Sequence, residues 1–177
     1  IKGLEKDIDN KLWQKRKVFA LLSREINDLH GKTLGIIGKG SIGMKVGRIA
    51  RAFGMNINYF SVRNYKKTQF LKFLSSLDYL SIHCPLNEKT KDLITIKELK
   101  IMKKNMILIN TARGGIVNEN DLAKALKQKI IAGSGIDVTT REPPKKSHPY
   151  YSILNEANFI WTPHTLSLIH ISEPTRR

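Results

Sequence analysis

The stretch LGIIGKGSIG, residues 34–43, constrains this chain more than any other part of it. It opens as an unbroken apolar run, the pattern of a short strand buried on both faces of a parallel sheet. Glycines follow at positions 38, 40 and 43, spaced G-x-G-x-x-G. Residues 42–53 then read as a helix, with Ile42, Val46, Ile49, Ala50 and Phe53 on one side. Strand, glycine turn and helix in that order form the context in which the spacing carries meaning. Gly38 permits a tight turn, Gly40 leaves the backbone open to a diphosphate, and Gly43 lets helix and strand pack closely. Amides at the helix start, aided by the helix dipole, are placed to hold the anion.

The rest of the chain repeats this alternation. Apolar strands are expected at 56–60, 79–83, 106–110, 132–138 and 158–162, and helices at 70–77, 95–102 and 118–128, with a Pro- and Lys-rich loop over 141–149. Continuous apolar strands separated by helices imply an α/β fold, a doubly wound parallel sheet covered on both faces. Residues 4–30 mix Leu4, Ile8, Leu12, Trp13, Val18, Phe19, Leu22, Ile26 and Leu29 with charges, as in an amphipathic helix followed by irregular chain.

The acid expected about twenty residues beyond the glycine loop, for the hydroxyls of an adenosine ribose, is absent. Ser61 stands there, with Arg63 just after it. Serine hydrogen-bonds a ribose without repelling a 2′-phosphate, and arginine pairs with one, so NAD and NADP both remain open. A solvent-facing loop charge is the plain alternative for Arg63.

Three further residues share a position. Arg113 follows the strand MILINTA, Glu142 follows GSGIDVTTR, and His164 follows FIWTP. Each lies past the C-terminal end of a strand, the edge along which open parallel sheets bind ligands. The set suits hydride transfer between a nicotinamide and a 2-hydroxy acid. The histidine supplies the proton, the carboxylate orients the ring, and the guanidinium grips a substrate carboxylate in bidentate fashion. Gly114 and Gly115 are expected to let substrate and cofactor approach the backbone. Singly, each residue has a bland reading: loop histidine, surface glutamate, helix-capping arginine.

Charge and cysteine content narrow the classes. The net charge is +16, but the lysines are dispersed and no basic run is interleaved with aromatics, so a solvated surface is favoured over a nucleic-acid face. A single cysteine, Cys84, excludes a disulfide framework and fits a reducing compartment, hence a cytoplasmic protein. No apolar run reaches the roughly 18 residues of a membrane span, and the charged start is unlike a signal peptide.

Taken together, GKTLGIIGKGSIG (31–43), SIHCPLNEKTKDLI (81–94), ILINTARGGIVNENDLAKAL (107–126), GIDVTTREPP (135–144) and TPHT (162–165) resemble the D-isomer-specific 2-hydroxyacid dehydrogenases. The resemblance implies a Rossmann-type dinucleotide-binding domain over 31–165. Residues 1–30 would be an interdomain remnant of a substrate domain that is otherwise largely missing. It implies Arg113, Glu142 and His164 as the catalytic trio, and Cys84, Thr111 and Ala112 in the pocket. Ser41 and Ile42 would lie at the diphosphate, Ser61 at the ribose and Asp137 near the carboxamide. It implies a small 2-hydroxy or 2-oxo acid substrate, NAD or NADP, and a homodimer without nucleic-acid or membrane partners. Residues 166–177, LSLIHISEPTRR, leave the family pattern and are expected to be an aberrant tail. A dinucleotide-sensing, corepressor-like protein without turnover is the second reading.

Overall fold

The computed structural model describes residues 2–16, 19–21, 28–156 and 158–165. Six parallel strands form one sheet: β1 (Thr33–Ile37), β2 (Asn56–Phe60), β3 (Tyr79–Ile82), β4 (Ile107–Asn110), β5 (Gly133–Ile136) and β6 (Phe159–Trp161). Their spatial order is β2-β1-β3-β4-β5-β6. The chain moves outward from β1 to β2, then returns past β1 to build the other half. The order therefore reverses between β1 and β3, and loops leaving these neighbours diverge to open a crevice.

The helices are α1 (Lys2–Asp9), α2 (Leu12–Arg16), α3 (Ser41–Ala52), α4 (Lys67–Ser75), α5 (Ile96–Leu99) and α6 (Glu119–Lys127). Every strand and helix expected from residue 31 onward is present, with ends moved by a few residues. The expected helix 70–77 begins at Lys67, because its first turn is polar and exposed and carries no apolar signal; burial starts at Phe70. Among the described residues before 31, two short helices stand where one was expected, broken near Lys11, whose φ is +54°. Val18, Leu22, Ile26 and the expected aberrant tail lie outside the described residues.

Helices flank both faces of the sheet, and one correction concerns which residues they bury. The face bearing Ile37, Leu80, Ile82 and Leu108 packs under Phe70, Leu74, Leu99, Leu122 and Leu126 in one large core. On the opposite face, among the described residues, α3 lies over Leu34, Ile36 and Met55 beside β1. Farther along it, Ile107 and Ile109 are half-buried and Ile160 is exposed. In addition, α3 does not bury the large apolar residues read from its sequence. It turns Gly43, Gly47 and Ala50 to the sheet and leaves Ile42, Ile49 and Phe53 exposed. The reason is steric. A Cβ on Gly43 would lie 2.2 Å from the Gly38 carbonyl oxygen, and one on Gly47 would lie 2.1 Å from the Tyr59 hydroxyl. The helix sits so close that Gly43, Gly47 and Ala50 line its contact with the sheet, and of the larger residues Val46 packs half-buried at its side.

Candidate active site

The glycine loop lies at the reversal point of the sheet. Gly38 has φ +104°, and a Cβ there would meet the His83 carbonyl oxygen of the β3 exit at 2.4 Å. Gly38 is thus required twice, by its backbone angle and by its neighbour. Its N–H donates to the Phe60 carbonyl at 3.0 Å, which ties the turn to β2 as well. Gly40 is the N-cap of α3, and nothing lies within 4 Å of the Cβ it lacks. Ser41 and Ile42, the first residues of α3, are exposed. The result is a fixed turn with open space over its second glycine and a helix start beside it, a shape that accepts a diphosphate.

Ser61 follows β2 directly and is exposed. Arg63 lies in the 3₁₀ turn Val62–Asn64 and lines a shallow depression with Val62, Asn87, Glu88 and Lys89. Cys84 follows β3 and is buried, and burial pushes its thiol up to about 11. It is protonated at neutral pH and is no nucleophile. Burial also holds the His83 imidazole below its ordinary value.

Past β4 the chain turns through Thr111, Ala112 and Arg113. The Asn110 side chain secures that turn: its oxygen accepts from the Ala112 N–H at 3.1 Å and its amide donates to the Arg113 carbonyl at 3.0 Å. The exposed Arg113 guanidinium donates to the Ala112 carbonyl at 2.6 Å. The expected role of Gly114 needs correction. A Cβ there would fall 2.0 Å from the Thr139 carbonyl carbon, so this glycine makes room for the loop after β5 rather than for a ligand. Gly115 takes φ +78°, which the turn demands of it.

Glu142 and His164 meet. His164 Nδ1 lies 2.6 Å from Glu142 Oε2, and Glu142 Oε1 accepts from the Thr139 N–H at 2.9 Å. The carboxylate is an acceptor, so Nδ1 carries the hydrogen, and Nε2 is the atom able to take or give a proton. About a third of each side chain is exposed, 34% for His164 and 37% for Glu142. His164 has φ +53°, in the left-handed region that costs roughly 1 kcal/mol for a side-chain-bearing residue. Buried Asp137 braces this turn, accepting from Thr162 Oγ1 at 2.5 Å and from the Thr165 N–H at 3.0 Å.

A cavity of about 470 Å³ adjoins the pair, lined by Asp137, Thr139, Pro143, Tyr151, Trp161 and Thr162 besides Glu142 and His164. Arg113 is not part of that lining. It reaches this rim through its neighbour Gly114, packed on the Thr139–Thr140 backbone. The sequence reading missed Asn110, Thr139 and the aromatic wall of Tyr151 and Trp161. Asn110 had a signal, as a polar residue ending an apolar strand. The aromatic wall had none, because it is assembled by the fold.

Residues 1–165 match the family model of the D-isomer specific 2-hydroxyacid dehydrogenase NAD binding domain. The chain is 42% identical over 156 residues to a glycerate dehydrogenase of Methylorubrum extorquens, covering 86% of this chain and 48% of that protein. It is 41% identical over 153 residues to a glyoxylate reductase of Thermococcus litoralis, covering 80% and 44%. It superposes with a TM-score of 0.71 on the NAD-complexed D-isomer specific 2-hydroxyacid dehydrogenase of Lactobacillus delbrueckii ssp. bulgaricus, at 31% identity over 86% of this chain and 52% of that one. The chain spans about half the length of the curated relatives it matches.

Proposed function

Because the chain belongs to the D-isomer specific 2-hydroxyacid dehydrogenase family, we propose that it is the dinucleotide-binding part of an oxidoreductase that interconverts small D-2-hydroxy acids and 2-oxo acids. The observation that carries this reading is the 2.6 Å pair of His164 and Glu142 on the C-terminal rim of the same sheet whose switch point holds the glycine loop. The residues present fit a dinucleotide: the closed contacts of Gly38 and Gly43 shape the loop, and the open space over Gly40 admits a diphosphate.

When bound, the nicotinamide supplies hydride chemistry. The protein's own residues do the rest. His164 Nε2 gives a proton to the carbonyl oxygen in reduction and takes it back in oxidation. Glu142 fixes the ring and stabilises the imidazolium. Arg113 grips the substrate carboxylate with two parallel N–H donors, a role that requires its side chain to leave the Ala112 carbonyl. Ser61 contacts the ribose, and the cationic Arg63 accommodates a 2′-phosphate, so the cofactor is NAD with NADP accepted. Thr111, Ala112 and Cys84 line the approach, and Asp137 lies near the carboxamide. In this reading residues 31–165 form the dinucleotide domain, and the whole protein is a cytoplasmic homodimer. No described helix is long and apolar enough to cross a membrane.

The test is reduction of hydroxypyruvate or glyoxylate by the intact protein, with NADH and NADPH compared. Turnover with either substrate is expected. No turnover and no dinucleotide binding at millimolar concentration would overturn the reading.

A further inference from the structure

A second histidine–glutamate pair lies behind the first. His148 Nε2 is 2.9 Å from Glu119 Oε2, and their side chains are only 8% and 15% exposed. His148 Nδ1 accepts from the Tyr150 N–H at 3.3 Å, so Nε2 carries the hydrogen and donates to Glu119. The other carboxylate oxygen, Oε1, accepts from the Thr140 N–H at 2.6 Å and from Thr140 Oγ1 at 2.9 Å.

The two pairs grip the same pieces of chain. Thr139 gives its N–H to Glu142, and Thr140 gives its N–H to Glu119. Successive amides of the loop after β5 are thus held by two different carboxylates. The second grip is on β6. The His148 ring stacks on Trp161, with centroids 5.4 Å apart and planes at 24°, and Trp161 leads through Thr162 and Pro163 to His164. Glu119 therefore fixes the strand exit that carries Glu142, and His148 fixes the one that carries His164.

We propose that Glu119 and His148 are positioning residues that set the geometry of the Glu142–His164 pair. The inference rests on the dehydrogenase reading for its purpose, but its geometry is independent of turnover. A carboxylate is needed because two oxygens must both accept. An amide has one acceptor oxygen, so Glu119→Gln keeps either the Thr140 contact or the His148 contact and opposes two donors at the other.

The test reads His164 directly by long-range ¹H–¹⁵N correlation in the ¹⁵N-histidine-labelled chain. Glu119→Gln is expected to lower the ratio of the Nδ1–H to the Nε2–H form of His164 about fivefold, because a looser Glu142 no longer selects one tautomer. In the intact protein kcat should fall about tenfold with KM nearly constant, as for a small misplacement of a reacting group. Asp78→Asn is the control. Asp78 is 13% exposed and accepts from the Thr33 N–H and Lys103 Nζ at the opposite ends of the strands, so its loss disturbs stability elsewhere and should leave the His164 ratio unchanged. If Glu119→Gln does not fold, Thr140→Val decides by the same readout. It removes one hydroxyl donor from an exposed residue, and a smaller shift in the same direction is expected. An unmoved His164 ratio, or an equal shift in Asp78→Asn, overturns the proposal. A chain that shows the shift yet reduces no 2-oxo acid keeps the proposal and defeats the dehydrogenase reading. An active enzyme with an unmoved ratio does the reverse.

Discussion

The two rims of the sheet are built from the same strands and handle charge in opposite ways. On the N-terminal rim, Asp78 precedes β3 and is only 13% exposed. One of its oxygens accepts from the Thr33 N–H at 2.9 Å, and the other accepts from Lys103 Nζ at 2.8 Å. Three strand entries, those of β1, β3 and β4, are thereby tied at one carboxylate. On the C-terminal rim, Glu142 and His164 form a hydrogen bond as short, but about a third of each side chain meets water and His164 holds an unfavourable backbone angle. One rim uses its charges to close the fold. The other keeps the Glu142–His164 pair where a ligand can reach it, over a buried second pair, and this costs local stability.

The sharpest way to break that contrast is His164→Ala. Loss of a positioned acid–base group should lower turnover by about 10²- to 10⁴-fold, while the melting temperature stays within a few degrees. Unaltered activity would remove His164 from the reaction. Gly114→Ala comes next and should harm both properties, since its Cβ would strike the Thr139 backbone at 2.0 Å. A loss of about 3 kcal/mol in chemical denaturation is expected, with activity falling alongside.

Asp78→Asn should show the inverse of His164→Ala: a loss of about 1 kcal/mol with turnover unchanged. Its pH dependence sharpens the point. Burial alone would raise the Asp78 carboxyl, but Lys103 and the Thr33 N–H outweigh it and hold the group below its ordinary value of 3.8. A carboxyl depressed in the folded state contributes stability above that value and loses it as pH falls through and below it. Acid unfolding of the native chain should therefore steepen below about pH 4, and Asp78→Asn should flatten that limb. The smallest effect belongs to Arg63→Ala, which should weaken NADP binding about fivefold and leave NAD binding nearly unchanged. Equal weakening of both would return Arg63 to an ordinary surface charge.

Most of this architecture was legible because its signals are local. A parallel sheet buries both faces of its central strands, so LGIIG and MILIN announce themselves as apolar runs, and glycine spacing identifies the turn after β1. The positions of Arg113, Glu142 and His164 were legible for a related reason: each follows a strand. What escaped the sequence was every feature set by distance in space. Gly43 and Gly47 face inward beside Ala50 because of how near α3 approaches the sheet, and periodicity alone favours the larger Ile42 and Ile49. Gly114 makes room for Thr139, which is 25 residues away in sequence. The Glu119–His148 contact spans 29 residues and joins a helix start to a loop, so no motif encodes it.

The interlock of Gly38 with the His83 carbonyl, and of Gly43 with Gly38, has a consequence for how cofactor preference can drift. The turn has no slack: a methyl group at either position would collide with backbone, which cannot swing aside as a flexible side chain does. Its amides are therefore arranged before any dinucleotide arrives, and little ordering entropy remains to be lost on binding. Such a cradle contributes grip common to every phosphorylated adenosine ligand and discriminates poorly among them. On the proposed reading, selectivity is left to the exposed stretch after β2, where Ser61 and Arg63 stand outside the sheet.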